Sequence, residues 1–189
     1  MPLLNILTYP DPMLRKKCDP VEEIDDDLIQ LLDDMADTMY EAPGVGLAAS
    51  QVGITKRVIV ADIKPRERAE ESTEEQEILL PLDRSELIEL INPEIVFSDG
   101  EITGEEGCLS IPGFVSDVKR KYQVVVQGYD RDGEPIEIEC EDLLARVFQH
   151  EIDHLDGILF IDRLGRLKRE LLKKKIEKAL GKEEKYAVL

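Results

Sequence analysis

The sequence predicts an α+β fold: antiparallel β-sheets around a central buried helix that carries His-Glu-x-x-His, with an amphipathic helix at the C-terminus. Three observations predict it. Apolar residues recur at helical spacing after Asp25 and again after Glu141, short alternating runs fill much of the chain between them, and a basic, leucine-bearing segment closes the chain. A helix, then several short strands, then a buried helix is the order of an α+β protein. At 189 residues and 21.4 kDa the chain is long enough for one domain with a sizeable core, and it has no internal repeat.

The first helix is expected from about Asp25 to just before Pro43. It opens with Asp25, Asp26 and Asp27, acids that suit a helix N-terminus, and it carries Leu28, Leu31, Leu32, Met35 and Met39 at helical spacing. Gly44-Val45-Gly46-Leu47-Ala48-Ala49-Ser50-Gln51 follows. Its small residues let another backbone approach closely, so an extended peptide could pair with it as an added strand. A phosphate loop does not fit, because no Lys-Ser/Thr pair follows and no strand clearly precedes it. Strands are expected over 56–63, around Val58 and Val60, and over 86–96 up to a break at Asn92-Pro93. Two more, over 122–129 and 136–140, read as a hairpin joined across Asp132-Gly133. Between Lys64 and Glu86 an acid-rich stretch lacks apolar periodicity and reads as a solvated loop or insertion. The second helix opens at Glu141-Asp142 and stops near Gly157. Leu143, Val147, His150 and His154 follow one face, and Leu144, Phe148 and Leu155 line the next, so this helix should be buried.

Both histidines of the chain sit in His150-Glu151-Ile152-Asp153-His154. Four apart on a helix, they project about 40° from one another, where neutral imidazoles can grip one divalent metal. Glu151 then lies beside that metal, placed to take a proton from a water the metal activates, which is a pattern of hydrolysis. Two surface histidines separated by chance polar residues would give the same spacing. A catalytic site normally has three protein ligands and an open position. A third His six residues after the second is excluded, since Phe160 stands there. Glu170 or Glu177 could serve, as in a zinc peptidase, although the segment around them is basic. The better donor lies upstream, in Glu105-Glu106-Gly107-Cys108-Leu109-Ser110. Taken alone, Cys108 would more often be structural than a ligand. A purely structural metal would want a fourth ligand and leaves Glu151 without a purpose.

Cys18, Cys108 and Cys140 are too few and too scattered for a disulfide framework. No apolar run reaches membrane-spanning length, and the N-terminus lacks a signal-peptide core, so a cytoplasmic protein without a membrane partner is expected. There a lone thiol such as Cys108 is free to ligate, while Cys18 and Cys140 read as idle thiols. The net charge of −18 argues against wholesale nucleic-acid binding, DNA included. Residues 163–182 reverse that sign: nine Lys or Arg against Glu170 and Glu177 give +7 and leave −25 on the remainder. Leu164, Leu167, Leu171 and Leu180 would form an apolar stripe along this helix. It reads either as a solvated helix docked on the acidic body or as a handle for a polyanion.

Gly44-Val45-Gly46-Leu47-Ala48-Ala49-Ser50-Gln51, Glu106-Gly107-Cys108-Leu109-Ser110 and Gln149-His150-Glu151-Ile152-Asp153-His154 resemble, in that order, the three motifs of the peptide deformylases. The resemblance extends from about Leu4 to Asp162, and Ser50 falls where the family's pattern is variable. One such motif is common in many folds, whereas three in order are specific. The resemblance implies a metal-dependent hydrolase that removes the N-formyl group from the N-terminal formyl-methionine of nascent polypeptides, releasing formate. It implies Cys108, His150 and His154 as ligands of one divalent metal ion, Fe(II) first, with Zn, Ni or Co as alternatives. Glu151 would be general base toward water and general acid toward the departing amine. The Gln51 amide and the Leu109 backbone N–H would point at the formyl oxygen. Without the resemblance, Gln51 reads as an exposed amide after a turn.

Methionine needs an apolar slot beside the metal. Val45, Leu143 and Val147 are expected to line it, with Gly46 against the peptide and Glu106 at the mouth. Residues 1–162 would form the catalytic domain and 163–189 the basic helix and tail. In family members such a helix contacts the ribosome near the exit tunnel, which makes ribosomal RNA its expected partner.

Overall fold

Asp25 starts the first helix as its side chain requires: in the computed structural model its carboxylate accepts the Leu28 N–H at 2.8 Å, capping α1 (Asp26–Glu41). The structure describes residues 3–64 and 84–186, so most of the acid-rich 64–86 stretch lies outside the described residues. After α1 come β1 (Gly46–Ala48), β2 (Val58–Ala61), β3 (Ile88–Asp99), β4 (Ile102–Glu106), β5 (Ser116–Arg120), β6 (Gln123–Tyr129) and β7 (Pro135–Glu141). Helices α2 (Asp142–Leu155) and α3 (Arg166–Tyr186) complete the chain.

Five strands form one antiparallel sheet in the order β1-β2-β3-β6-β7, and β4 pairs with β5 in a separate two-stranded sheet. The larger sheet lies between α1 and α2, and the period of a strand explains how. In β2, Val58 and Val60 pack toward Leu28, Leu32, Met35 and Met39 of α1. Ile59 and Ala61 face the other way, into a cluster with Phe148, Ile152 and Leu155 of α2. With both faces covered, β2 reads as an unbroken apolar run rather than as an alternation. The α+β expectation, with antiparallel strands around the motif helix, holds.

Several boundaries differ. The break expected at Asn92-Pro93 is an irregularity inside a longer strand. Asn92 takes φ 53° and its side chain bonds both N–H and C=O of Val21, so β3 shifts register and continues to Asp99. The β4–β5 hairpin was not expected, because Ile102 and Val118 are the only large apolar residues in its two strands. The leucine stripe of the last helix is also corrected. Leu164 precedes α3, while Leu167 and Leu171 are 75% and 54% exposed. The buried side is Leu172, Ile176 and Leu180, at spacings of four, packed with Leu14, Ile111, Leu159 and Ile161.

Candidate metal centre and active site

Helix α2 carries the two histidines inward because every residue over 147–155, two and a half turns, is buried. Their ring centroids lie 4.9 Å apart with planes crossing at 73°. Cys108 follows β4 by two residues, and the β4–β5 hairpin brings it over the helix. Its Sγ is 3.2 Å from Nε2 of His154, and one ligand atom from each of Cys108, His150 and His154 lies within 4.8 Å of the others. Bonds of roughly 2.3 Å to sulfur and 2.0 Å to nitrogen at a tetrahedral angle would hold the two donors about 3.5 Å apart. The spacing therefore suits a shared metal. Among the described residues this is the only group of three such donors drawn together.

A second layer fixes the first. His150 Nδ1 meets Glu106 Oε2 at 3.0 Å, which leaves Nε2 for the metal side. Glu106 is in turn held by Arg120, from Nε at 2.9 Å and Nη2 at 3.0 Å. Arg120 also binds Asp153 of α2, and Asp153 binds Arg163. Burial alone would push the Glu106 carboxyl up, but its hydrogen bonds to His150 and Arg120 win and hold it down to about 2. Burial likewise disfavours a charged His150, yet the Cys108 and Glu106 partners raise it well above the usual imidazole value. Anionic groups thus gather here strongly enough to favour a cation. His154 is pushed well down, by burial first and then by the charges of His150, Arg120 and Arg15, which favours the neutral form that a metal ligand needs.

Glu151 lies beside these donors. Burial raises its carboxyl to about 7, and Oε2 is buried with no partner among the described residues. Gly46 makes room for it, since a Cβ there would come 2.5 Å from Oε1. Gln51 is buried, not the exposed amide its sequence context suggests: Oε1 accepts the Ala48 N–H at 2.8 Å. Its Nε2 lies 3.2 Å from Ser110 Oγ and 3.5 Å from Cys108 Sγ. A cavity of about 460 Å³ opens over this cluster, walled by Val45, Gly46, Leu109, Leu143, Arg146 and Val147.

The polypeptide deformylase family model matches residues 3–170. The chain belongs to this family. It is 53% identical over 177 residues to the peptide deformylase of Thermodesulfovibrio yellowstonii, covering 94% of this chain and 98% of that one. The Syntrophobacter fumaroxidans peptide deformylase is 52% identical over 180 residues, covering 95% and 97%. The crystal structure of a peptide deformylase from Legionella pneumophila superposes with a TM-score of 0.82 at 44% identity, covering 97% and 98%.

Against that family frame, the residues expected from sequence fall in one place. Cys108, His150, His154, Glu151, Gln51, Leu109, Gly46, Val45, Leu143 and Val147 all belong to the cluster or line its cavity. Glu106 borders the cavity as well, and both its carboxylate oxygens are bonded, to Arg120 and His150. Arg120, Asp153 and Ser110 were missed. Asp153 sits inside the motif itself, and its place one residue before His154 was the available signal.

Proposed function

We infer that this chain is a hydrolase of the deformylase family that cleaves the formyl group from N-formyl-methionyl nascent peptides with a bound metal, releasing formate. The observation that carries this reading is the Cys108, His150 and His154 donor set with the Glu151 carboxylate beside it, whose Oε2 has no partner among the described residues. A divalent ion held by those three residues supplies a Lewis acid that polarises the formyl carbonyl and acidifies water.

The side chains then have separate tasks. Glu151, raised to about 7 by burial, accepts a proton from the attacking water and returns it to the departing amine as the C–N bond breaks. The Gln51 amide and the Leu109 N–H donate to the formyl oxygen as charge develops on it. Glu106 and Arg120 orient His150. The peptide extends along β1, an edge strand of the sheet, while its methionine side chain enters the cavity near Leu143 and Val147.

The native ion we assign is Fe(II), with Ni, Co or Zn as substitutes, since a thiolate and two imidazoles accept any of them. The setting is the cytoplasm, where a free Cys108 stays reduced. Residues 1–162 carry the chemistry, and the basic helix beyond them faces the ribosome. Among the described residues no helix is long and apolar enough to cross a membrane.

The test is anaerobic purification, metal analysis and a formate-release assay on a formyl-Met peptide. One equivalent of metal and metal-dependent formate release support the reading. Activity of the iron form should decay in air while the nickel form persists; equal decay of both would contradict the iron assignment.

A further inference from the structure

The two histidines of the metal centre are held in different ways. His150 Nδ1 lies 3.0 Å from Glu106, and that bond fixes the ring. His154 Nδ1 is buried and has no hydrogen-bond partner among the described residues. Its other nitrogen, Nε2, is the one beside Cys108 Sγ. The aim of this ring therefore depends on the main chain that carries it. That main chain lies in the last turn of α2, which ends at Leu155. The last four carbonyls of a helix lack partners inside it, and helix ends fray. The turn beyond α2 meets part of this need: Asp156 N–H reaches the Ile152 and Asp153 carbonyls, and Gly157 N–H reaches that of His154 at 3.1 Å. Two further bonds come from distant parts of the chain. Cys18 N–H donates to the Leu155 carbonyl at 2.8 Å, and the Ser50 hydroxyl donates to the His154 carbonyl at 3.0 Å. Ser50 belongs to the short 3-10 turn Ala49–Val52 after β1 and is 1% exposed, so water is not at hand to replace it.

We propose that Ser50 is a positioning residue for the metal centre: by holding the His154 carbonyl, its hydroxyl sets the main chain from which the His154 ring reaches the ion. This rests on the reading of Cys108, His150 and His154 as metal ligands. Metal sites keep their ligand distances to within about 0.2 Å. A drift of the last helical turn passes straight to His154 Nε2, because no bond at Nδ1 corrects it. His150 does not share this dependence, since it lies a turn deeper in the helix and Glu106 holds its ring. Ser50 also precedes Gln51, so the same hydrogen bond ties the segment that bears the proposed formyl-oxygen donor to the end of the metal-bearing helix.

The experiment measures nickel affinity of the full-length, nickel-loaded protein by competition with a chelator, well below the melting temperature. Wild type is compared with Ser50→Ala, and Ser50→Thr with Ser50→Val, a second pair of matched shape that differs in the hydroxyl. In each pair the member with the hydroxyl should bind nickel about tenfold more tightly, the lower end of what an outer contact to a metal ligand contributes. A bond with a structural role alone would lower the melting temperature and leave the affinity of the folded protein unchanged. Equal nickel affinity within either pair overturns the inference, and the second pair decides it if Ser50→Ala does not fold. A wild type that takes up no nickel overturns the metal-ligand reading instead.

Discussion

At the scale of single residues, the site depends on side chains whose chemistry is set by what surrounds them. A glutamate is a poor base in water, and burial lifts the Glu151 carboxyl to about 7, the range that the proposed role of general base needs. Its position depends on a missing side chain across the groove. Gly46→Ala would drive a methyl group to 2.5 Å from Glu151 Oε1, in a strand whose backbone is held by the Gly46 to Ala61 pairing. That substitution should lower kcat by at least tenfold, since a displacement of about 1 Å at a reacting group can cost about a hundredfold. Metal content should stay at the wild-type level, and kinetics with metal analysis on the same preparation check both. The spacing of His150 and His154 was legible in the sequence because a helix fixes residues i and i+4 locally. Gln51 was legible only through the family resemblance, since its burial depends on Ser110 and Cys108, more than fifty residues away.

At the scale of elements, the β4–β5 hairpin and α2 are joined by ion pairs that sequence could not announce. Across the hairpin Glu106 stands opposite Ser116 and Arg120 opposite Ile102, yet the Arg120 side chain pairs with Glu106 and reaches over to Asp153. Those pairings exist only once the hairpin forms, and its strands carry too few apolar residues for alternation to reveal them. Arg120 is 5% exposed, so its removal leaves Glu106 and Asp153 buried with fewer partners. Arg120→Ala should lose about 3–5 kcal/mol of stability, read from denaturant midpoints. A loss under about 1 kcal/mol would mean that the network is not structurally important.

The N-terminal segment is tied in a similar way to the turn that follows α2, at Phe160–Arg163. Asp162 accepts the Leu159 N–H at 2.9 Å and pairs with Arg15. Burial raises its carboxyl, but the hydrogen bonds from Arg15 and the Leu159 N–H, with the charges of Arg15 and Lys173, together outweigh that and hold it below its ordinary 3.8. A lowered folded pKa gives stability that is present above 3.8 and is lost as pH falls through the folded value. Asp162→Asn should therefore destabilise at neutral pH, and its Tm gap to wild type should close in acid below 3.8. A gap independent of pH would assign the effect to packing.

At the scale of the whole molecule, charge is divided between an acidic body and a basic final helix. The charge of that helix was legible, because it is a property of composition. Its buried face was not: leucines recur along two sides of the helix, and only docking selects Leu172, Ile176 and Leu180 over Leu167 and Leu171. Deleting α3 would uncover Leu159 and Ile161, so charge reversal is the cleaner probe. Replacing the exposed Lys174, Lys175 and Lys178 by Glu should weaken ribosome co-sedimentation sharply while turnover of a short formyl-Met peptide is unchanged. Wild-type binding should fall steeply with salt. Equal sedimentation of both proteins would leave α3 as a solvated cap on the body. The central claim, that this chain is a metal-dependent deformylase with Glu151 as its proton carrier, is tested most directly by one comparison. Formate release from a formyl-Met peptide is measured for wild type and Glu151→Gln at matched metal occupancy. The expected result is full metal binding in both and a loss of at least about a hundredfold in kcat for the variant. Wild-type turnover by a metal-loaded Glu151→Gln would contradict it.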